Sequence, residues 1–245
     1  TGVQTCALPI YDQAGLLKDP GSFIVPNANR QYIVGRNGSS EPQQFEGLMA
    51  EVVAFQANLN TAQRNLVENY LCSLYDMTLT GRDFYAGDTA GNGDYDFDVF
   101  GIGRLSWSDE VTAAGQMGLG IAAPWGLSDN QWILAGHKVT NNVFVSIEVA
   151  GPHHAFVRWA RVWYVDVTGI IDVRLSFGFS DAGLPQKGDD YQLLYSAVNA
   201  FSWSTVDDAD ASVDGDRLHF DVPAASMVDG YYTTGFIAAG GTLMF

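Results

Sequence analysis

Phe156-Val-Arg-Trp-Ala-Arg-Val-Trp-Tyr-Val165 is the stretch whose reading decides the fold. It is rich in aromatic and β-branched residues. Strict alternation puts Trp159, Arg161, Trp163 and Val165 on one face of a strand over 156–165. Two readings of that face stand. It is the inside of a sandwich with Arg161 paired to an aspartate, or a sugar-stacking platform with Arg161 between the two indoles. Outward from it, runs of the same kind recur every ten or so residues, at 97–103, 132–137, 143–149, 171–179, 191–197, 218–222 and 231–237. Gly, Asp, Asn and Pro separate them. Many short strands at that spacing, without alternating helices, predict an all-β fold, an antiparallel β-sandwich or jelly roll. One helix is predicted over 60–76. Asn60 caps it, and Gln63 reaches back as in a capping box. Leu66, Val67, Tyr70, Leu71 and Leu74 form its core-facing stripe, with Gln63, Arg64, Glu68 and Asn69 on the other side. Ahead of the helix, 23–25 and 32–34 read as short strands, and 45–55 as a longer strand apolar on both faces. The domain boundary is expected between 78 and 79, where the helical pattern has ended.

The chain has 245 residues, enough for one large β domain or two small ones. It is 47% hydrophobic with 27 glycines, so it carries a sizeable core, and a wholly disordered chain is excluded. A net charge of −16 opposes binding to nucleic acid or an anionic membrane surface, because like charges would be brought together. No apolar run has the length of a membrane-spanning helix, so membrane insertion is not expected, and the start lacks the basic-then-apolar pattern of a signal peptide.

Residues 1–10, Thr-Gly-Val-Gln-Thr-Cys-Ala-Leu-Pro-Ile, resemble the translation of a sequencing-library adapter, which implies an artefact rather than a folded segment. With Cys6 set aside, Cys72 is left as a lone thiol between Leu71 and Leu74. It reads as a small buried filler.

Phe45-Glu-Gly-Leu-Met-Ala-Glu-Val-Val-Ala-Phe55 and the helix from Leu59 to Tyr75, with Tyr32-Ile-Val-Gly-Arg36 before them, resemble the C-terminal end of a bacterial laminin-G-like or concanavalin-A-like lectin domain. The resemblance implies that 11–78 is a remnant of such a domain. Phe100-Gly-Ile-Gly-Arg104, Arg161-Val-Trp-Tyr-Val-Asp166, Phe177-Gly-Phe-Ser-Asp181 and Asp229-Gly-Tyr-Tyr232 are similar to an uncharacterised β-sandwich domain of secreted bacterial proteins, covering 79–245. That implies a secreted or cell-surface setting and no known catalytic residues.

Asp94, Asp96 and Asp98 alternate with Tyr95, Phe97 and Val99. If extended, their carboxylates share one face at roughly 6.6 Å intervals. With Asp88 or Asn92 from the preceding loop, such oxygens suit Ca²⁺; the other reading is a solvated face paired with Arg104. A second acidic run, Asp207, Asp208, Asp210, Asp214 and Asp216, reads as a polar loop. The histidines lack zinc spacing, and His153-His154 follow the turn signal Gly151-Pro152. No nucleophile elbow or phosphate loop occurs, and Gly115 to Gly120 lacks the lysine a phosphate site needs. Glu51 has no second carboxylate two or four positions away, so the acid pair of a glycosidase is missing. Trp107, Trp125 and Trp203 sit in Gly- or Ser-flanked segments and are candidate ligand contacts. These features point to a non-enzymatic extracellular module that meets a glycan or another surface protein. An accessory region of a polysaccharide-degrading enzyme, or a pure spacer, are the alternatives.

Overall fold

The computed structural model describes residues 50–53, 55, 58–138, 145–149, 155–182, 191–198 and 202–237, with backbone alone at 145–149, 155–157, 182 and 237. In chain order the elements are α1 (Thr61–Leu74), β1 (Phe97–Ser106), β2 (Asp109–Val111), β3 (Ala113–Gln116), β4 (Leu119–Ala122), β5 (Gln131–His137), β6 (Val145–Val149), β7 (Ala155–Trp159), β8 (Trp163–Thr168), β9 (Val173–Gly178), α2 (Phe179–Ala182), β10 (Tyr191–Ser196), β11 (Ser204–Thr205), β12 (Asp210–Asp214), β13 (Arg217–Val222) and β14 (Gly230–Ile237). Nine strands form one antiparallel sheet along the path β11-β10-β14-β8-β5-β1-β2, with β7 joined to β14 and β6 to β7. Five form the second, β12-β13-β9-β4-β3. This is the expected all-β sandwich.

Alternation explains the layering. On β13, Leu218, Phe220 and Val222 are buried while Arg217, His219 and Asp221 face outward, and on β9 Val173, Leu175 and Phe177 point in while Arg174 and Ser176 point out. These side chains meet Ile102, Ile133, Trp159, Trp163 and Val165 of the large sheet in the main core. The other face of the large sheet is covered as well. Trp132, Leu134, Tyr164 and Tyr231 pack there against Tyr85, Tyr95 and Ala62, and Phe84 stacks on Trp132 at 4.3 Å. The Tyr85 hydroxyl donates to Tyr95 O at 2.6 Å, closing the segment 84–96 on itself, and that of Tyr231, on β14, donates to Asn92 O at 2.8 Å and ties the segment to the sheet. Among the described residues, it is the small sheet that keeps a polar face without a covering layer.

One expectation about the strands changes. The single strand expected over 156–165 is two, β7 and β8, which lie end to end along β14: 235–237 pair with 158–156, and 230–232 with 165–163. Residues 160–162 jut from the gap, and the buried Thr233 Oγ1 lies 3.0 Å from the carbonyls of both Trp159 and Arg161, supplying the polar contact that the interrupted ladder lacks. The Gly-rich stretch 115–120 forms the turn and flanks of the β3–β4 hairpin.

Helix α1 has both capping-box bonds: Gln63 N–H donates to Asn60 Oδ1 at 2.7 Å, and Asn60 N–H to Gln63 Oε1 at 2.9 Å. Its buried side is only in part the predicted stripe: Leu71 is buried, and Leu66 and Tyr70 pack on the second core. Ala62, Asn65, Glu68, Asn69, Leu71, Cys72 and Ser73 are buried, while Leu66, Val67 and Tyr70 are half-buried. The polar residues go inward because they hold the segment 82–84. Asn69 Nδ2 donates to Arg82 O at 2.9 Å, Phe84 N–H donates to Asn69 Oδ1 at 2.8 Å, and Glu68 sits 3.6 Å from the Arg82 guanidinium. Cys72 is disulfide-bonded, which corrects its reading as a lone thiol; its partner lies outside the described residues.

The expected boundary at 78/79 does not divide the chain. Leu59–Phe245 belongs to one compact unit, and α1 is tied to β2 by Ala62 N–H donating to Asp109 Oδ1 at 2.8 Å and Asn60 Nδ2 to Glu110 O at 3.2 Å. Of the second unit, Ala7–Asn58, residues 50–53, 55 and 58 are described and lie outside any helix or strand. The rest of the expected lectin-like remnant, its strands at 23–25 and 32–34, and residues 1–10 lie outside the described residues. No helix among the described residues is long and apolar enough to cross a membrane.

Asp166, on β8, gives this fold a pH signature. Burial, then the nearby Asp229, Asp83 and Asp88, push its pKa up from 3.8 to about 6, against a 2.7 Å bond accepted from Ala86 N–H. A carboxyl with a raised folded-state pKa stabilises below its unfolded pKa, and that contribution is lost as pH rises through about 6. Asp166→Asn should therefore flatten the fall in unfolding free energy between pH 4 and pH 7 by on the order of 1–2 kcal/mol. Urea titrations at the two pH values measure it; parallel curves for the two proteins would refute the assignment.

Candidate functional site

The proposed calcium face does not assemble. Asp94 (φ 56°) and Asp98 (φ 52°) are left-handed, a conformation that short Asp side chains tolerate, so 94–98 is not an extended strand. Between Phe97 and Phe100 the register of β1 against β5 slips, a bulge that turns Asp98 aside. Asp98 Oδ2 lies 2.7 Å from His137 Nε2, and its Oδ1 accepts from Gln116 Nε2 at 3.3 Å. Asp88 accepts from Ser73 Oγ at 2.8 Å, pointing at α1. The expected partner of this face, Arg104, instead donates to Asp129 Oδ1 at 2.8 Å and to Leu127 O at 2.8 Å. Among the described residues no three His, Cys, Asp or Glu side chains are placed to hold a metal. In the second acidic run, Asp210 and Asp214 lie on the edge strand β12 rather than in a loop, and His153-His154 fall outside the described residues.

The three candidate tryptophans do not share a site. Trp107 is 78% exposed in the β1–β2 turn and Trp125 58% exposed in the β4–β5 connection. Both lie at the end of the sandwich where Arg104 binds the second of these connections. Trp203 is half-buried, packs on the tyrosine-rich second core, and has the Arg158 guanidinium 5.2 Å from its ring.

The described polar groups converge instead at the opposite end, on the outer face of the small sheet. A groove of about 440 Å³ runs over β3, β4, β9 and β13. Its size falls in the range of small-molecule sites. Gly115, paired with Gly120, and Gly120, paired with Ser176, put no side chains on its floor. Ser176 and His219 form one wall, and Gln116, Met117, Asp181 and Arg217 close the end nearest the β3–β4 turn. Cross-strand register sets the wall: Ser176 faces His219, and Ser176 Oγ lies 2.7 Å from His219 Nδ1. One row below, Arg174 grips Asp221 in a two-pronged contact, Nε to Oδ1 at 2.6 Å and Nη2 to Oδ2 at 2.7 Å. Burial, followed by the charge of Arg174, lowers the pKa of His219, so its ring is neutral at neutral pH.

A neutral imidazole bonded to a hydroxyl presents one donor and one acceptor in either tautomer. If Ser176 donates to Nδ1, Nε2–H is free to donate; if Nδ1–H donates, the serine hydroxyl donates onward and Nε2 accepts. That is the complement of a sugar hydroxyl, which also does both.

Beneath the groove end lies an unusual cation. Arg161 is completely buried between two indoles, its guanidinium carbon 5.7 Å from the Trp159 ring and 5.8 Å from that of Trp163. The stacking foreseen from alternation is thus present, but the aspartate partner is not. Nη1 donates to Met117 O at 3.0 Å, while Nε and Nη2 are buried without a hydrogen-bond partner. Met117 holds φ 46° beside Gly118 at φ 95°, the two-residue turn that joins β3 to β4. A bulky residue in that region costs about 1–2 kcal/mol, and strain of this kind gathers at functional sites. Gly118 is obligatory here: a Cβ would stand 2.9 Å from Trp159 Cη2 and from Asp181 Cβ.

Compared with known proteins, the chain matches no family model, no curated protein and no solved structure. Ser176, His219 and Met117 were not singled out from the sequence. Their juxtaposition depends on register across strands 43 residues apart, for which the linear pattern holds no signal.

Proposed function

We propose that this chain is a non-enzymatic extracellular module, secreted or held at a bacterial cell surface, that contacts a glycan through the groove of the small sheet. The observation that carries the reading is the Ser176–His219 pair beside the glycine positions 115 and 120: Ser176 Oγ and His219 Nδ1 lie 2.7 Å apart, and their mutual bond leaves one outward donor and one outward acceptor. A non-enzymatic role is favoured because Asp181 is the single carboxylate among the described residues that line the groove, whereas glycoside hydrolysis needs two carboxyl groups across the bond. The acidic, lysine-poor composition and the resemblance of 11–78 and 79–245 to secreted lectin-like and sandwich domains favour the extracellular setting. An accessory role beside a polysaccharide-degrading domain is compatible with the same groove.

The test is binding to a panel of polysaccharides, with Gly120→Leu as the blocked variant. A Cβ at Gly120 meets Ser176 Cβ at 3.4 Å, an ordinary contact, so the variant folds while its side chain fills the trough. The parent chain should be retained and the variant bind roughly tenfold more weakly or worse. Equal retention of both rejects the groove as the glycan site, and retention of neither rejects glycan contact and leaves the spacer reading.

A further inference from the structure

We propose that the ligand of the groove carries a carboxylate, and that the buried Arg161 binds it through its free Nε/Nη2 edge beneath the Met117–Gly118 turn. This rests on the reading of the groove as a glycan site. The same molecule shows what the free edge is built for: Arg174 uses Nε and Nη2 to hold both oxygens of Asp221. Arg161 leaves those same two atoms empty while being completely buried. A guanidinium stripped of water with two idle donors is costly, and a planar two-oxygen anion satisfies both at once. The chain's own carboxylates do not do so. Asp98 is engaged by His137 and Gln116, and Asp181, the other acid close enough to influence the guanidinium, makes no hydrogen bond to it.

The groove and the arginine are one residue apart. Met117 and Gly118 line the groove, Met117 O receives the Nη1 bond, and Gly118 rests on the Trp159 indole that forms one wall of the arginine's slot. The barrier is a strained two-residue turn at the edge of the small sheet, next to the edge strand β3. With that turn displaced, an acidic sugar meets Ser176 and His219 with its hydroxyls and Arg161 with its carboxylate. The two tryptophans fix the plane of the guanidinium.

The experiment follows the ¹⁵Nε–H signals of the nine arginines of the full chain during titration with glucuronate, glucose and acetate at constant ionic strength. Glucuronate should move the Arg161 signal, leave that of Arg174 in place, and bind roughly tenfold tighter than glucose. Arg161→Met should abolish the preference, and Asp181→Asn should strengthen glucuronate binding about two- to threefold by removing a like charge. Equal binding of glucuronate and glucose with a stationary Arg161 signal overturns the carboxylate proposal and keeps the glycan reading. An Arg161 signal moved by acetate, with neither sugar bound beyond acetate's own affinity, supports the proposal and overturns the glycan reading. A stationary signal with no binding of any probe overturns both. The resonance is read in the parent protein, so the result stands even where a variant fails to fold.

Discussion

Arg161→Met should fold and melt at a higher temperature than the parent chain. The substitution keeps the volume between Trp159 and Trp163 while removing a completely buried charge with two unbonded donors. Apolar replacement of buried ionic groups is neutral to stabilising by about 1–4 kcal/mol, which for a chain of this size is up to roughly 10 °C. The single bond forfeited, to Met117 O, leaves a carbonyl in an exposed turn that water can reach. Calorimetry gives the sign. A loss of several kcal/mol would mean that the guanidinium is fully compensated in the folded chain, and the idle edge argued above would not exist. A gain would mean that this arginine is kept at the expense of stability, the pattern expected of a residue retained for binding.

Gly103→Ala should be strongly destabilising, by about 2–4 kcal/mol. Gly103 pairs with Trp132 across β1 and β5, and a methyl there would overlap the six-membered ring of that indole. The ring has nowhere to go. It is buried, and Phe84 stacks on it at 4.3 Å with the planes 9° apart. Gly91→Ala is the matched control, since a Cβ there meets nothing within 4 Å; it should lie within about 0.5 kcal/mol of the parent. Denaturant midpoints of the two variants give the comparison. A tolerated Gly103→Ala would show that Trp132 and Phe84 are not the fixed wall described.

What could be read beforehand was whatever depends on near neighbours in the chain. The alternation of 97–103, 218–222 and 231–237 gave their strands, the Asn60–Gln63 spacing gave the cap, and the period of two put Trp159, Arg161 and Trp163 on one face. What failed depends on distant partners. The burial of Glu68 and Asn69 follows from Arg82 and Phe84 packing back on the helix, and an apolar-stripe rule cannot foresee a polar seam. The β3–β4 hairpin was hidden by glycines of low strand propensity, although Leu119 and Ile121 alternate within it. The Asp94–Asp98 face assumed an extended backbone, and two left-handed aspartates break that assumption. The groove itself is made by omission, through glycines on β3 and β4 that line up with each other and, across β9, with Ser176.

The rims of the two sheets carry a last consequence. The seven-stranded main path of the large sheet terminates in β11 and β2, of two and three residues, too short to template a neighbour. One side of the small sheet terminates in β12, which brings Asp210 and Asp214 to its border. Chains crowded together would confront carboxylate with carboxylate there before any intermolecular zipper could begin, so these borders discourage polymerisation into fibrils.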